Sequence, residues 1–153
     1  MTSIDVSGTS GEDGGVANLR GITHFTNLAE LNCAYNANLM GLSIYDNITL
    51  ANIDISNTGI DSLTLNGCTA LNTVDISGNT ALQYIDVSGC TSLLEIDISG
   101  DTALQYIDVS GCTSLKELDI STNTALITLD ISGSGIESID ATTNVALESI
   151  DAS

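Results

Sequence analysis

Asp54, Asp75, Asp97, Asp119 and Asp140 form one spaced series of carboxylates, and Asp86, Asp108, Asp130 and Asp151 form a second that alternates with it. Successive members lie about eleven residues apart, and Ser77, Ser88, Ser99, Ser110 and Ser132 each follow an aspartate by two. Carboxylate and hydroxyl oxygens are the donors that hard cations take. Asp75, Asp97 and Asp119 on one side, and Asp86, Asp108 and Asp130 on the other, are therefore candidate ligands for Ca2+, the one cofactor the residues suggest. Neither an EF-hand loop nor a glycine-rich calcium nonapeptide accompanies them. The other reading is structural: each aspartate bonds a neighbouring Ser or Thr, or faces water. If the series stack at about 4.8 Å, each pair of like charges costs on the order of 1 kcal/mol even in water. Such ladders are expected to raise some carboxyl pKa values or to recruit cations.

Other residues repeat in step. Tyr84 and Tyr106 lie 22 residues apart, flanked by Asp86 and Asp108, while Glu95 and Glu117 accompany the other aspartate series. These six are the candidate partner-binding residues, the tyrosines as anchors for a protein or glycan. The alternative for the tyrosines is a packed pair between neighbouring repeats. Cys68, Cys90 and Cys112 share one column, with Cys33 outside it. Zinc needs convergent ligands, and parallel side chains in a column do not converge, so these cysteines read as a buried ladder of free thiols. Asn79 and Asn123 occupy the same slot in the alternate repeats and read as a second ladder, bonding turn backbone. His24 is the sole histidine, expected to pack beside Phe25. With no Ser-His-Asp set, no phosphate loop and no cleft expected on a convex rod, catalysis is not expected.

The elements that position these residues follow from a short internal period. Units begin at Leu28, Leu39, Leu50, Ile60, Leu71, Leu82, Leu93, Leu104, Leu115, Leu126, Ile136 and Leu147. Within LNTVDISGNTA from Leu71, positions 1, 4 and 6 are apolar and positions 3, 5 and 7 polar, the alternation of a strand with one buried face. A glycine at position 8 turns the chain. Units starting at Leu50 and Leu126 are one residue short, and Gly59 and Gly135 are expected to absorb the tighter turn. Because position 9 alternates between Asn or Asp and Cys or Ser, the structural repeat is a pair of units. The fold class is thus mainly β: a β-solenoid of about six coils of 21–22 residues, each with two short parallel strands, in a rod roughly 30 Å long. Residues 1–27 form an N-terminal coil and lead-in segment, with a strand in Ser3–Gly8 and an irregular loop from Thr9 to Gly15. Residues 28–153 form the repeat solenoid, the whole being one domain.

The pattern LxxLxΦxx(N/C) resembles the leucine-rich repeat family, in its irregular class of nested half-repeats. LRGITHFTNLAELNC, Leu19 to Cys33, is similar to the start of internalin-like bacterial repeats. The resemblance implies a leucine-rich-repeat solenoid from a bacterial surface or secreted protein. Composition bears on the partners. Twenty acids against two bases give a net charge of -18, which repels nucleic acid and anionic lipid. No apolar run approaches the roughly 20 residues of a membrane span, so membrane insertion is not expected. The chain has no secretory signal and is expected to be a segment of a longer exported chain, placed outside the cell or on its surface. The expected function is non-enzymatic: surface adhesion or protein interaction. The alternatives are self-assembly of copies end to end into a filament, and a Ca2+-dependent binding module.

Overall fold

The structure, a computed structural model, describes residues 1–9 and 15–153. The irregular loop expected between Thr9 and Gly15 falls, from 10 to 14, outside the described residues. Among the described residues eleven three-residue strands form two parallel sheets. Sheet A contains β1 (Ser3–Asp5), β2 (Glu30–Asn32), β4 (Asn52–Asp54), β6 (Thr73–Asp75) and β8 (Glu95–Asp97), in that spatial order. Sheet B runs from β3 (Gly41–Ser43) through β5 (Ser62–Thr64), β7 (Tyr84–Asp86), β9 (Tyr106–Asp108) and β10 (Thr128–Asp130) to β11 (Ser149–Asp151). Odd and even units thus supply opposite faces, and the fold is a mainly β solenoid of about six coils.

Alternation decides which side chains go inside. Val74, Ile85, Ile96 and Ile107 point inward from the strand centres, and Leu71, Leu82, Leu93 and Leu104 close the corners; all are buried. Each contributes roughly 1.5–3 kcal/mol by leaving water. The register is in step throughout, with Asp54 beside Asp75, Asp75 beside Asp97, and Tyr84 beside Tyr106. Beyond each strand the next coil continues the hydrogen bonding. Ile76 N–H donates to the Asp97 carbonyl at 2.9 Å and Gly78 N–H to the Ser99 carbonyl at 2.8 Å.

Position 8 demands a left-handed backbone, as at Gly78 (φ 76°), and Asn57 (φ 55°) supplies it where glycine is absent. The units from Leu115 and Ile136 place Thr122 and Thr143 there, and a β-branched residue resists that conformation. Neither threonine takes it. At this step Gly100 N–H donates not to a backbone carbonyl but to Thr122 Oγ1, at 3.1 Å. Among the described residues no strand forms at 117–119 or 138–140, so sheet A stops at β8 while sheet B continues to β11. The two strands per coil expected throughout are therefore missing on one side of the last coils. Thr122→Gly is expected to raise stability by about 1 kcal/mol by allowing the left-handed turn. Chemical denaturation checks this.

The short units correct a second expectation. Gly59 and Gly135 do not adopt positive φ. What they provide is a missing side chain, since a Cβ on Gly59 would sit 2.2 Å from the Ala37 carbonyl oxygen, and one on Gly135 would sit 2.4 Å from that of Thr113. At the N-terminal end β1 pairs in parallel with β2, as one coil on the next. The lead-in segment contains one turn of 3-10 helix, Ile22–His24. His24 is exposed there, its Nδ1 3.2 Å from the Gly21 carbonyl oxygen, and Phe25 is 42% exposed. The tight helical turn buries Ile22 instead and leaves the imidazole in water.

Candidate functional site

The outward side chains of sheet A do not make a flat or convex face. They line a shallow groove of about 490 Å³, which corrects the expectation that a rod of repeats offers no concavity. Asp5, Glu30, Asp54, Asp75, Glu95 and Asp97 supply its carboxylates, and neither Arg20 nor Lys116 lines it. Glu30, Glu95 and Asp97 are exposed, while Asp54 and Asp75 are half-buried. Thr73 Oγ1 donates to Asn52 Oδ1 at 2.8 Å across the groove floor. Glu117 and Asp119 continue the acidic row beyond β8 and are exposed.

Every ladder aspartate of the regular coils is held by its own turn. Asp75 Oδ1 accepts from Ser77 N–H at 3.0 Å and from Ser77 Oγ at 2.7 Å; Asp86 Oδ1 accepts likewise from Ser88 at 2.9 and 2.7 Å. Asp97, Asp108 and Asp130 accept the N–H of Ser99, Ser110 and Ser132, each at 2.9 Å. The Ser121 hydroxyl and N–H hold the Asp119 carboxyl below its ordinary range, and Thr142 does so for Asp140, first through its N–H. At these exposed positions donation from the turn outweighs repulsion between coils, opposite to the raised values that charge spacing alone suggested. Among the described residues no three His, Cys, Asp or Glu side chains converge on one point.

Sheet B carries a different feature. Tyr84 and Tyr106 stack, with ring centroids 4.8 Å apart and ring planes within 3°. Each ring therefore spends one face on the other, leaving edges, hydroxyls and one outer face apiece toward Ser62 and Thr128, their strand neighbours. Partial burial raises both phenol pKa values, as do the carboxylates of Asp86 and Asp108. Asp86 and Asp108 flank the pair, half-buried.

Residues 10–101, more than half of the 153-residue chain, match the family model described as the LRR (leucine-rich-repeat) domain of endo-β-N-acetylglucosaminidase EndoS. The chain belongs to this LRR family. No curated protein matches it. Among solved structures it is similar to the functional domain of InlJ from Listeria monocytogenes, described as including a cysteine ladder, at 21% identity and a TM-score of 0.40. That similarity covers 96% of this chain and 43% of the other, so the chain spans less than half the length of that solved protein.

Inside this LRR domain the position 9 residues form two buried columns. Behind sheet B lie Cys68, Cys90 and Cys112, all free thiols. Cys90 Sγ donates to the Leu65 carbonyl and Cys112 Sγ to that of Val87, both at 3.2 Å. Burial pushes the Cys90 thiol up to about 12 and that of Cys112 to about 11, so neither is a thiolate at neutral pH. Behind sheet A lie Asn36, Thr58, Asn79, Asp101, Asn123 and Asn144. Asn79 Nδ2 donates to the carbonyls of Ile55 (3.1 Å) and Ile76, and its Oδ1 accepts from Thr58 N–H at 2.7 Å. Asn36 heads the asparagine column in the first coils, its Nδ2 donating to the carbonyls of Val6 (3.0 Å) and Cys33 (2.8 Å), whereas Asn47, in the slot of the cysteine column, accepts the N–H of Thr49 and Leu50 within its own turn; sequence reasoning missed both. Each occupies position 9 of its unit, counted from Leu28 or Leu39, which was the available signal. Among the described residues no helix is long and apolar enough to cross a membrane.

Proposed function

We propose that this LRR domain is a non-catalytic interaction module of a secreted or surface protein, and that its acidic groove on sheet A takes a basic protein segment. The observation that carries the reading is the groove itself: six carboxylates in one concavity, without a cation lining it. An electrostatic surface of this kind steers a partner of opposite sign and fixes its placement more than it adds raw affinity. The module's own chemistry supports binding and not turnover, since its thiols are buried and its one imidazole stands alone in water at the lead-in segment. The hydrolytic activity named for EndoS is that enzyme's, and the chain matches its repeat domain.

A lysine-rich peptide tests the reading. The double variant Glu30→Lys with Glu95→Lys is expected to weaken binding about tenfold or more, and added salt to weaken binding to the unmodified chain. The same charge change at Glu137 and Glu148, away from the groove, is expected to leave affinity within about twofold. Equal loss in both pairs would mean general charge attraction and would sink the groove. A second reading rests on the in-register aspartate pairs: a row of weak Ca2+ sites along each ladder, between neighbouring aspartates of the same sheet. After chelation, added Ca2+ is then expected to raise the melting temperature, and an unchanged value removes it.

A further inference from the structure

The inner rungs of sheet A are built on amide donors. Asn123 Nδ2 donates to the carbonyls of Ile98 (3.0 Å) and Asp101 (3.1 Å), and Asn144 Nδ2 to those of Ile120 and Asn123, both at 2.9 Å. Asp101 fills the same rung, 0% exposed, but has no amide nitrogen. Its Oδ1 accepts Asn79 N–H at 2.7 Å, as Asn79 Oδ1 accepts Thr58 N–H, whereas the Oδ1 atoms of Asn123 and Asn144 are buried without a partner. Asp101 Oδ2 is buried and has no hydrogen-bond partner. That oxygen stands where the other rungs place a donor opposite carbonyl oxygens. The Ile76 carbonyl bears the same relation to Asp101 as that of Ile98 bears to Asn123, 25 residues earlier in each case. A carboxylate there sets negative oxygen against negative oxygen, whereas a carboxylic acid has one O–H to give.

We propose that Asp101 is a proton-dependent rung: the solenoid closes on its protonated carboxyl, which donates from Oδ2 to the Ile76 carbonyl, and loss of that proton to water loosens the fold at this coil. The surroundings act in one direction. Burial opposes ionisation most strongly, and the charged groups that act on Asp101 through the sheet are both anionic, Asp97 on β8 of its own coil and Asp75 on β6 of the coil before. The coil after presents the neutral amide of Asn123. Only the N–H of Asn79 favours the charge, and the balance raises the carboxyl to about 7. Because this lies above the unfolded value of 3.8, the folded chain holds a proton that the unfolded chain releases. Its contribution to stability is full below about 4, declines as pH rises toward about 7, and is lost above that. Asp119 and Asp140, with lowered values, act oppositely and only in acid.

Asp101→Asn restores the amide of the neighbouring rungs. Denaturant unfolding of the full chain is expected to show a folding constant that falls about tenfold or more between pH 5 and pH 8, with a clearly smaller fall in Asp101→Asn. At pH 8 the variant is expected to be the more stable of the two. Equal pH dependence in both proteins, or a variant less stable at pH 8, would overturn the proposal. Carbon NMR of the aspartate carboxyls in the folded wild-type chain gives a check independent of the variant's folding. One resonance titrating near neutrality is expected, and a full set titrating in the acid range refutes the protonated rung.

Discussion

Asn79→Ala is expected to destabilise the domain by about 4 kcal/mol, read as a drop in denaturant midpoint at unchanged slope. The residue is fully buried and joins two coils. Its Nδ2 reaches the carbonyls of Ile55 and Ile76, and its Oδ1 takes both the N–H (2.7 Å) and the hydroxyl (2.8 Å) of Thr58. Alanine strands the Thr58 N–H and takes the amide donor from the Ile76 carbonyl, while the Ile55 carbonyl keeps only the Thr58 hydroxyl, at 3.2 Å; each group stranded in a dry interior costs about 1–3 kcal/mol. Cys90→Ala supplies the contrast. It removes one weak thiol donor at 3.2 Å and a small volume, and is expected to cost about 1 kcal/mol. Similar losses in the two variants would show that the asparagine column is no more than packing.

Gly59→Ala is expected to cost about 3 kcal/mol, although the backbone there is open to any residue. The added carbon would meet the Ala37 carbonyl oxygen at 2.2 Å and the Leu39 carbonyl oxygen at 3.3 Å, and backbone cannot swing aside as a side chain can. Gly89→Ala tests the opposite case. Its φ of +71° disfavours alanine, yet its nearest neighbours stand 3.9 Å away, so about 1 kcal/mol is expected. If Gly89→Ala proved the worse, conformational freedom and not close approach would govern both glycines.

The two strand faces, the inward rows and the aspartate slots were legible because a fixed period repeats one local decision many times. LQYIDVSGCTS occurs at Leu82 and again at Leu104, and each copy makes the same strand and the same turn. Features that depend on a single departure were not legible that way. Thr122 looks like one more polar turn residue, yet it does not take the left-handed backbone of its slot, and sheet A ends before it. Gly59 resembles a turn glycine, but its role lies in an oxygen 22 residues earlier. The groove was missed for a similar reason: its lining comes from five stacked strands, and no unit encodes it alone. The lowered Asp119 and Asp140 carboxyls show local hydrogen bonds overruling the charge column, a contest spacing does not decide.

The early end of sheet A gives the rod unequal sides. Past β8 the coils are tied together on one face by β9, β10 and β11, while the opposite face relies on side chains such as Thr143 Oγ1, bonded to the Ser121 carbonyl at 2.9 Å. Because each coil grips only its neighbours, a pull along the axis concentrates strain on the weaker face. The seam after β8 is expected to open first there, with sheet B serving as the leaf on which the last coils fold back.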